Sequence, residues 1–270
     1  MGTLLYLRAS GPHAEAVESA LDEAGAAVDK VERLMSFHAE DSELTRLNRA
    51  AFRAPQRVDP WTFAVLGRAR RIAALSDGLF DITVAPLLVR AGLLPPRTGT
   101  PPSEGNWRDV TLLPDGHVFF ERPVLLDLGG IAKGFAVDQA IHALRRHGAT
   151  EATVNAGGDL RRFGATALPV HLRRPDGLVT VAALRCGAVA TSGGQFDDPE
   201  GAAQSLGHIF DPRRRRAWNG IGSVTVAASS CVVADALTKV AALAGPGCAH
   251  LLDRFGARAL WDKDTGPAPG

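Results

Sequence analysis

Two apolar strand ends that break at paired glycines constrain this chain more than any other feature. In Leu126-Asp127-Leu128-Gly129-Gly130-Ile131-Ala132-Lys133-Gly134 a short strand stops at glycines and restarts as a helix carrying lysine in its first turn. Glycine lets backbone approach a ligand closely, the start of a helix offers free N–H groups to an anion, and Lys133 adds positive charge, so the segment has the parts of a phosphate cradle. It matches neither a Walker loop nor a dinucleotide GxGxxG, and a lone turn of this kind is more often plain structure. Val154-Asn155-Ala156-Gly157-Gly158-Asp159-Leu160 is a second such end. Alone it reads as a tight turn capped by Asp159; beside the first it is suited to lining one cleft.

Around these ends the patterning predicts an α+β chain of mixed, largely antiparallel sheets flanked by helices. Apolar residues at Val17, Leu21, Ala24, Val28, Val31 and Met35 keep the three-four spacing of one buried helix face from Glu15 to Met35. Asp59 followed by Pro60 announces a second helix that Ser76-Asp77-Gly78 stops. Val110–Leu113 and His117–Phe120 flank Pro114-Asp115-Gly116 as a hairpin, and Val124–Leu128 reads as a further strand. A helix is predicted from about Ile131 to His147. Strands follow at Ala152–Asn155, Val170–Arg173, Val179–Leu184, Ala188–Thr191, Ser223–Ala227 and Ala257–Trp261, with helices at Cys231–Ala244 and His250–Phe255. Residues 1–262 read as a single domain of two packed subdomains, with a Pro/Gly/Thr-rich surface loop near 95–105 and a disordered tail over 263–270.

A length of 270 residues is ample for a sizeable core. A formal net charge of +1 carries no balance for binding nucleic acid. The cysteines Cys186, Cys231 and Cys248 are too few for a disulfide framework and form no CxxC pair, which fits a reducing, cytoplasmic setting. The first twenty residues carry Arg8, Glu15 and Glu18 and no uninterrupted apolar run, so neither a leader nor a stable membrane insertion is read there, although a removed leader would leave no trace.

Two further segments carry chemistry-bearing side chains. In Gly207-His208-Ile209-Phe210-Asp211-Pro212 a histidine stands three residues before an aspartate, a spacing that suits an acid/base pair and also occurs in loops without catalytic purpose. Arg213 to Arg216 follow, either as a solvated surface or as an attraction for a diphosphate. In Cys231-Val232-Val233-Ala234-Asp235-Ala236-Leu237-Thr238-Lys239 one carboxylate and one hydroxyl interrupt an apolar helix three residues apart, on one face. That oxygen pair suits magnesium, and an Asp235–Lys239 ion pair at i,i+4 is an equally good account.

Taken in order, the motifs resemble one family. Val31–Ser36, Asp41–Leu44 with Leu47-Asn48, Asp77–Leu87, Asp127–Gly134, Asn155–Asp159, Ala190–Gly193, His208–Pro212 and Ala234–Leu237 are similar to the ApbE-type FAD:protein FMN transferases, over Met1-Gly2-Thr3 to about Gly245. The resemblance implies a two-lobed α+β fold with FAD in the cleft between lobes. It implies transfer of FMN from FAD, the substrate, to a threonine or serine hydroxyl of an acceptor protein whose motif resembles Asp-x-x-Ser/Thr-Gly-Ala-Thr/Ser, with AMP released. Met1, His38, Leu79, Phe80, Asp81, Asp127, Lys133 and Phe210 fall where the family contacts FAD; Mg2+ would be held by the backbone carbonyl near Gly130, by Asp235 and by an oxygen one turn later, which Thr238 would have to supply unless Lys239 replaces part of the metal's charge.

The chain departs from the family's pattern at three places. His38 stands where tyrosine is frequent, and Arg213-Arg214 follow Pro212 where threonine-glycine is common. Many members have threonine four residues after the metal aspartate; here that residue is Lys239, which cannot ligate a metal while protonated. Magnesium would polarise the diphosphate, Lys133 would share its charge, His208 would accept the hydroxyl proton and Asp211 would orient it. Hydrolysis of FAD to FMN and AMP, or flavin binding without catalysis, are the alternative readings.

Overall fold

The computed structural model describes residues 3–97, 105–174, 177–193, 209–218, 220 and 222–261. In chain order its elements are β1 (Leu5–Ser10), α1 (Ala14–Met35), α2 (Glu43–Ala50), β2 (Gln56–Arg57), α3 (Pro60–Leu75), α4 (Ala85–Arg90), β3 (Val110–Leu113), β4 (His117–Phe120), α5 (Ala132–Arg146), β5 (Glu151–Ala156) and β6 (Asp159–Phe163). Then come β7 (Leu168–Arg174), β8 (Gly177–Leu184), β9 (Gly187–Gly193), β10 (Phe210–Asp211), β11 (Arg216–Ala217), β12 (Ser223–Ala228), α6 (Cys231–Ala244), α7 (Ala249–Arg254) and β13 (Arg258–Trp261). The proposed tail over 263–270 and most of the Pro/Gly loop lie outside the described residues.

A six-stranded sheet in the order β1-β5-β6-β9-β12-β13 forms the base, with every neighbouring pair antiparallel. Strands β2, β4 and β3 make a smaller antiparallel sheet, and β7 pairs with β8 as a separate ribbon. Helix α5 packs on β5 and β6, α6 packs on β9 and β12, and the two helices touch each other. Helix α1 covers α5 with Ala20, Ala24, Val28, Val31 and Met35, the stripe its spacing foretells. Burying a side chain the size of Val31 contributes about 1.5–3 kcal/mol.

Helix α6 is buried on almost every side, as expected of a core helix with no charge except Asp235 and Lys239. The stretch Cys231–Arg254 has the length and hydropathy of a membrane span, but 61% of its most apolar window is buried inside the protein. Its apolarity is therefore accounted for by the core.

Helix α3 begins as its sequence dictates. Asp59 accepts the Trp61 N–H at 2.8 Å, Pro60 occupies a position that needs no donor, and Lys30 pairs with the same carboxylate at 2.9 Å. Asp59→Ala is expected to lower stability by about 1 kcal/mol, read as a shift of the urea midpoint.

Val124–Leu128 is not a strand. Asn48 takes over the role of a ladder partner: its Oδ1 accepts the Leu126 N–H at 2.8 Å and its Nδ2 donates to Leu126 O at 3.0 Å, while the Asp127 N–H goes to Ile82 O. The segment is largely buried, and the amides of Leu126 and Asp127 are satisfied from helix α2 and the loop before α4 rather than from a sheet.

Candidate active site

Helices α5 and α6 cross at Gly134. A methyl group there would lie 2.3 Å from the Cys231 carbonyl oxygen and 2.8 Å from Asp235 Cβ, so no other residue fits without moving a helix. At this crossing each helix terminates the other. Asp235 Oδ2, from α6, accepts the Gly134 N–H in the first turn of α5 at 3.0 Å. Asp138, from α5, accepts the Cys231 N–H at 2.8 Å and the Val232 N–H at 3.0 Å in the first turn of α6, and Arg161 donates to it at 2.6 Å.

Three amides of the phosphate cradle expected at the start of α5 already have partners within the protein. The Ile131 and Ala132 N–H groups both bond to Leu128 O, and the Gly134 N–H belongs to Asp235. What the glycine break presents instead is side-chain charge. Lys133 Nζ donates to Asp159 Oδ2 at 2.9 Å and stands 3.8 Å from Asp235 Oδ1. Lys239 Nζ donates to Asp235 Oδ1 and, at 3.0 Å, to the Asp235 carbonyl oxygen. Both lysines remain partly exposed, at 31% and 19% of their side chains, whereas Asp235 is fully buried. The cluster is thus a buried carboxylate bearing two cations that reach solvent.

Electrostatics follow from that layering. Burial pushes the Asp235 carboxyl up, but the charges of Lys133 and Lys239 outweigh it and hold it below its ordinary value. The charge of Asp235 in turn holds Lys133 protonated well above the usual lysine range. Asp127 is raised by burial, against the pull of the Gly129 N–H, His38, Lys239 and Lys133, which places those groups around it. Asp159 is raised from 3.8 to about 6, first by burial and then by the charge of Asp235. Between those values the folded chain keeps a proton that the unfolded chain has lost, so this group makes stability fall as pH rises from about 4 to about 6. Asp159→Asn is expected to flatten that fall, measured as urea midpoints across the window.

The remaining residues singled out from sequence divide into those that join the cluster and those that do not. A methyl on Gly130 would touch Lys239 Cε at 3.4 Å and Phe80 Cε2 at 3.6 Å, which brings Phe80 and the glycine loop to the lysine. Leu79 is half-buried beside Phe80, and His38 is exposed. Asp81 is held by its own loop, accepting the Thr83 N–H and hydroxyl at 2.8 Å each and the Trp107 N–H at 3.0 Å. Asp211 is buried and accepts the Arg213 and Arg214 N–H groups in the turn between β10 and β11, so its carboxylate shapes that turn. Arg213 reaches Asp77 at 3.3 Å, which sets half-buried Phe210 and its turn against the Asp77–Asp81 loop. Met1 and His208 lie outside the described residues.

Sequence reasoning missed the pairing of Lys133 with Asp159 and the role of Asp138. The cap of the second glycine turn is Asn155, whose Oδ1 accepts the Gly158 N–H at 2.9 Å, and not Asp159. Gly157 and Gly158 both take positive φ there, as a two-residue hairpin requires. Lysine and arginine at i−26 and i+23 from their partners, Lys133 to Asp159 and Arg161 to Asp138, leave no local signal.

The sequence profile of the ApbE family matches residues 1–261. The chain belongs to the ApbE family. A Vibrio cholerae protein described as an FAD:protein FMN transferase is 31% identical over 78% of this chain and 69% of its own length. One of the same description from Rhodobacter capsulatus is 32% identical over 90% of this chain, which spans 50% of that longer relative. The crystal structure of the ApbE protein of Thermotoga maritima superposes with a TM-score of 0.78 over 96% of this chain and 91% of its own, at 27% identity. The expected α+β fold is that of the ApbE family.

The donor set at Asp235 does not suit the magnesium that the ApbE resemblance implies. Magnesium demands near-octahedral oxygen ligands at about 2.1 Å. Among the described residues no group of three His, Cys, Asp or Glu could hold a metal ion. Asp235 Oδ1 carries Lys239, Oδ2 carries the Gly134 N–H, and the Thr238 hydroxyl is spent on Asp235 O at 2.6 Å and Ser192 Oγ at 2.7 Å. A divalent ion at Asp235 does not fit unless the ammonium leaves.

Proposed function

We propose that this protein transfers FMN from FAD to a serine or threonine hydroxyl of an acceptor protein, releasing AMP. The observation that carries the reading is the pair of part-exposed ammonium groups, Lys133 and Lys239, fixed on Asp235 at a glycine break in a chain of the ApbE family. A diphosphate bridging two nucleotides brings concentrated negative charge, and preorganised cations lower the energy of that charge as it shifts to the leaving group. The acceptor oxygen bonds to the phosphorus on the FMN side, the bond from that phosphorus to the bridging oxygen breaks, and AMP departs with the electron pair.

In this reading Lys133 and Lys239 hold the diphosphate oxygens, and Gly130 leaves room for that approach beside Phe80. His208 takes the hydroxyl proton, and Asp211 holds the turn that follows it. Met1, His38, Leu79, Asp81, Asp127 and Phe210 belong to the FAD contacts, with Asp81 acting through the loop it braces. With Lys239 on its carboxylate, Asp235 offers magnesium no free ligand oxygen.

The test is incubation with FAD and an acceptor carrying the Ser/Thr motif, followed by the intact mass of the acceptor and an assay for AMP. An FMN-sized gain on the acceptor with stoichiometric AMP is expected. Free FMN without that gain would make the protein a hydrolase, and unchanged FAD would make it a flavin binder; either outcome overturns the proposal.

A further inference from the structure

We propose that the Lys239 ammonium permanently occupies the cation position at Asp235, so that this protein handles a diphosphate substrate there without a divalent metal. The inference deepens the FMN-transfer reading and rests on it for the substrate class. Two oxygens, Asp235 Oδ1 and Asp235 O, accept from Lys239 Nζ, and the Thr238 hydroxyl donates to the same carbonyl at 2.6 Å. The two oxygens meet an ammonium, a group with three donors and no lone pair, where a metal would need a ligand.

The lysine is built into its place. It lies one helical turn from Asp235 on a helix that is buried nearly all round, and its stem runs past Gly130, where a methyl on the glycine would be in van der Waals contact with it at 3.4 Å. The side chain keeps 19% of its surface exposed, so it is not sealed from solvent. Asp235 already has an ammonium partner in Lys239, with Lys133 3.8 Å from the same carboxylate oxygen and bonded to Asp159. A metal would have to displace a charge-assisted hydrogen bond to a fully buried carboxylate and then share the site with the expelled ammonium.

The experiment compares the wild-type protein with Lys239→Thr and Asp235→Asn after dialysis against EDTA. Each is titrated with Mn2+ in the presence of FAD, with free Mn2+ counted by electron paramagnetic resonance, and FAD cleavage with an acceptor is followed in EDTA and in excess Mg2+. The wild type is expected to bind no more Mn2+ than Asp235→Asn does, and its cleavage in EDTA to stay within about twofold of that in Mg2+. Lys239→Thr is expected to lose about a hundredfold in EDTA and to recover with Mg2+ as it gains one bound Mn2+. One equivalent of Mn2+ on the wild type that disappears in Asp235→Asn would overturn the inference, and this count decides it even if Lys239→Thr does not fold. Absence of FAD cleavage under every condition would sink the transferase reading instead, leaving the Mn2+ count to judge the lysine.

Discussion

Asp235→Asn should lower kcat for FAD cleavage by about 10²–10³ while leaving the Michaelis constant for FAD much less changed. The side chain touches no solvent, so its contribution comes through what it holds. Its charge is the first cause of the raised Lys133 ammonium and is bonded directly to that of Lys239. Asparagine keeps the shape and can still accept the Gly134 N–H, but it removes the charge that fixes both ammonium groups beside the glycine break. Lys133 would retain Asp159, whereas Lys239 would keep only a carbonyl. Groups aimed at developing charge lose most of their value once they must reorganise during the reaction. Steady-state kinetics beside a melting curve checks this, since an unchanged kcat in a folded variant would remove Asp235 from the machinery.

Asp138→Ala is the second large effect, and it falls on stability. Asp138 is 4% exposed and satisfies two amides at the start of α6 together with Arg161, whose side chain is 12% exposed. Truncation leaves a nearly buried guanidinium without its carboxylate and two helix-start donors without an acceptor. Breaking a buried pair by removing one partner costs about 3–5 kcal/mol, because the surviving charge stays in low dielectric. A urea midpoint that moved by less than the loss of an ordinary surface pair would show that water reaches the site.

How far these features could be read from sequence depends on the range of the interaction. Helix α1 was legible because its apolar period and its burial are the same fact, and α3 because Asp59 and Pro60 act within one turn. Val124–Leu128 was misread as a strand because an apolar run does not say whether a sheet or an asparagine will satisfy its amides. At Asp235 the spacing was truly degenerate. Residues three and four further on share one helix face, and the structure uses both, Lys239 on the carboxylate and Thr238 on the backbone oxygen. Which of them met the carboxylate was decided by reach, since lysine's long stem can fold back one turn and a threonine hydroxyl bonds its own backbone first. Asp159 looked like a turn cap because it flanks the same glycines as Asn155; its true partner, Lys133, lies on another element.

The mutual termination of α5 and α6 has a consequence for how the chain reaches its working form. Neither helix has a finished first turn until the other is docked, since each depends on an aspartate that the other carries. A nascent α5 formed alone has an open end and no Asp235 to hold Lys133, and a nascent α6 has the lysine but no partner to fix its angle of approach. The charged cluster therefore comes into being in the same event that closes the core. Partly folded forms of this chain would carry helices but no assembled site, a coupling that ties any chemistry at the lysines to completion of the fold.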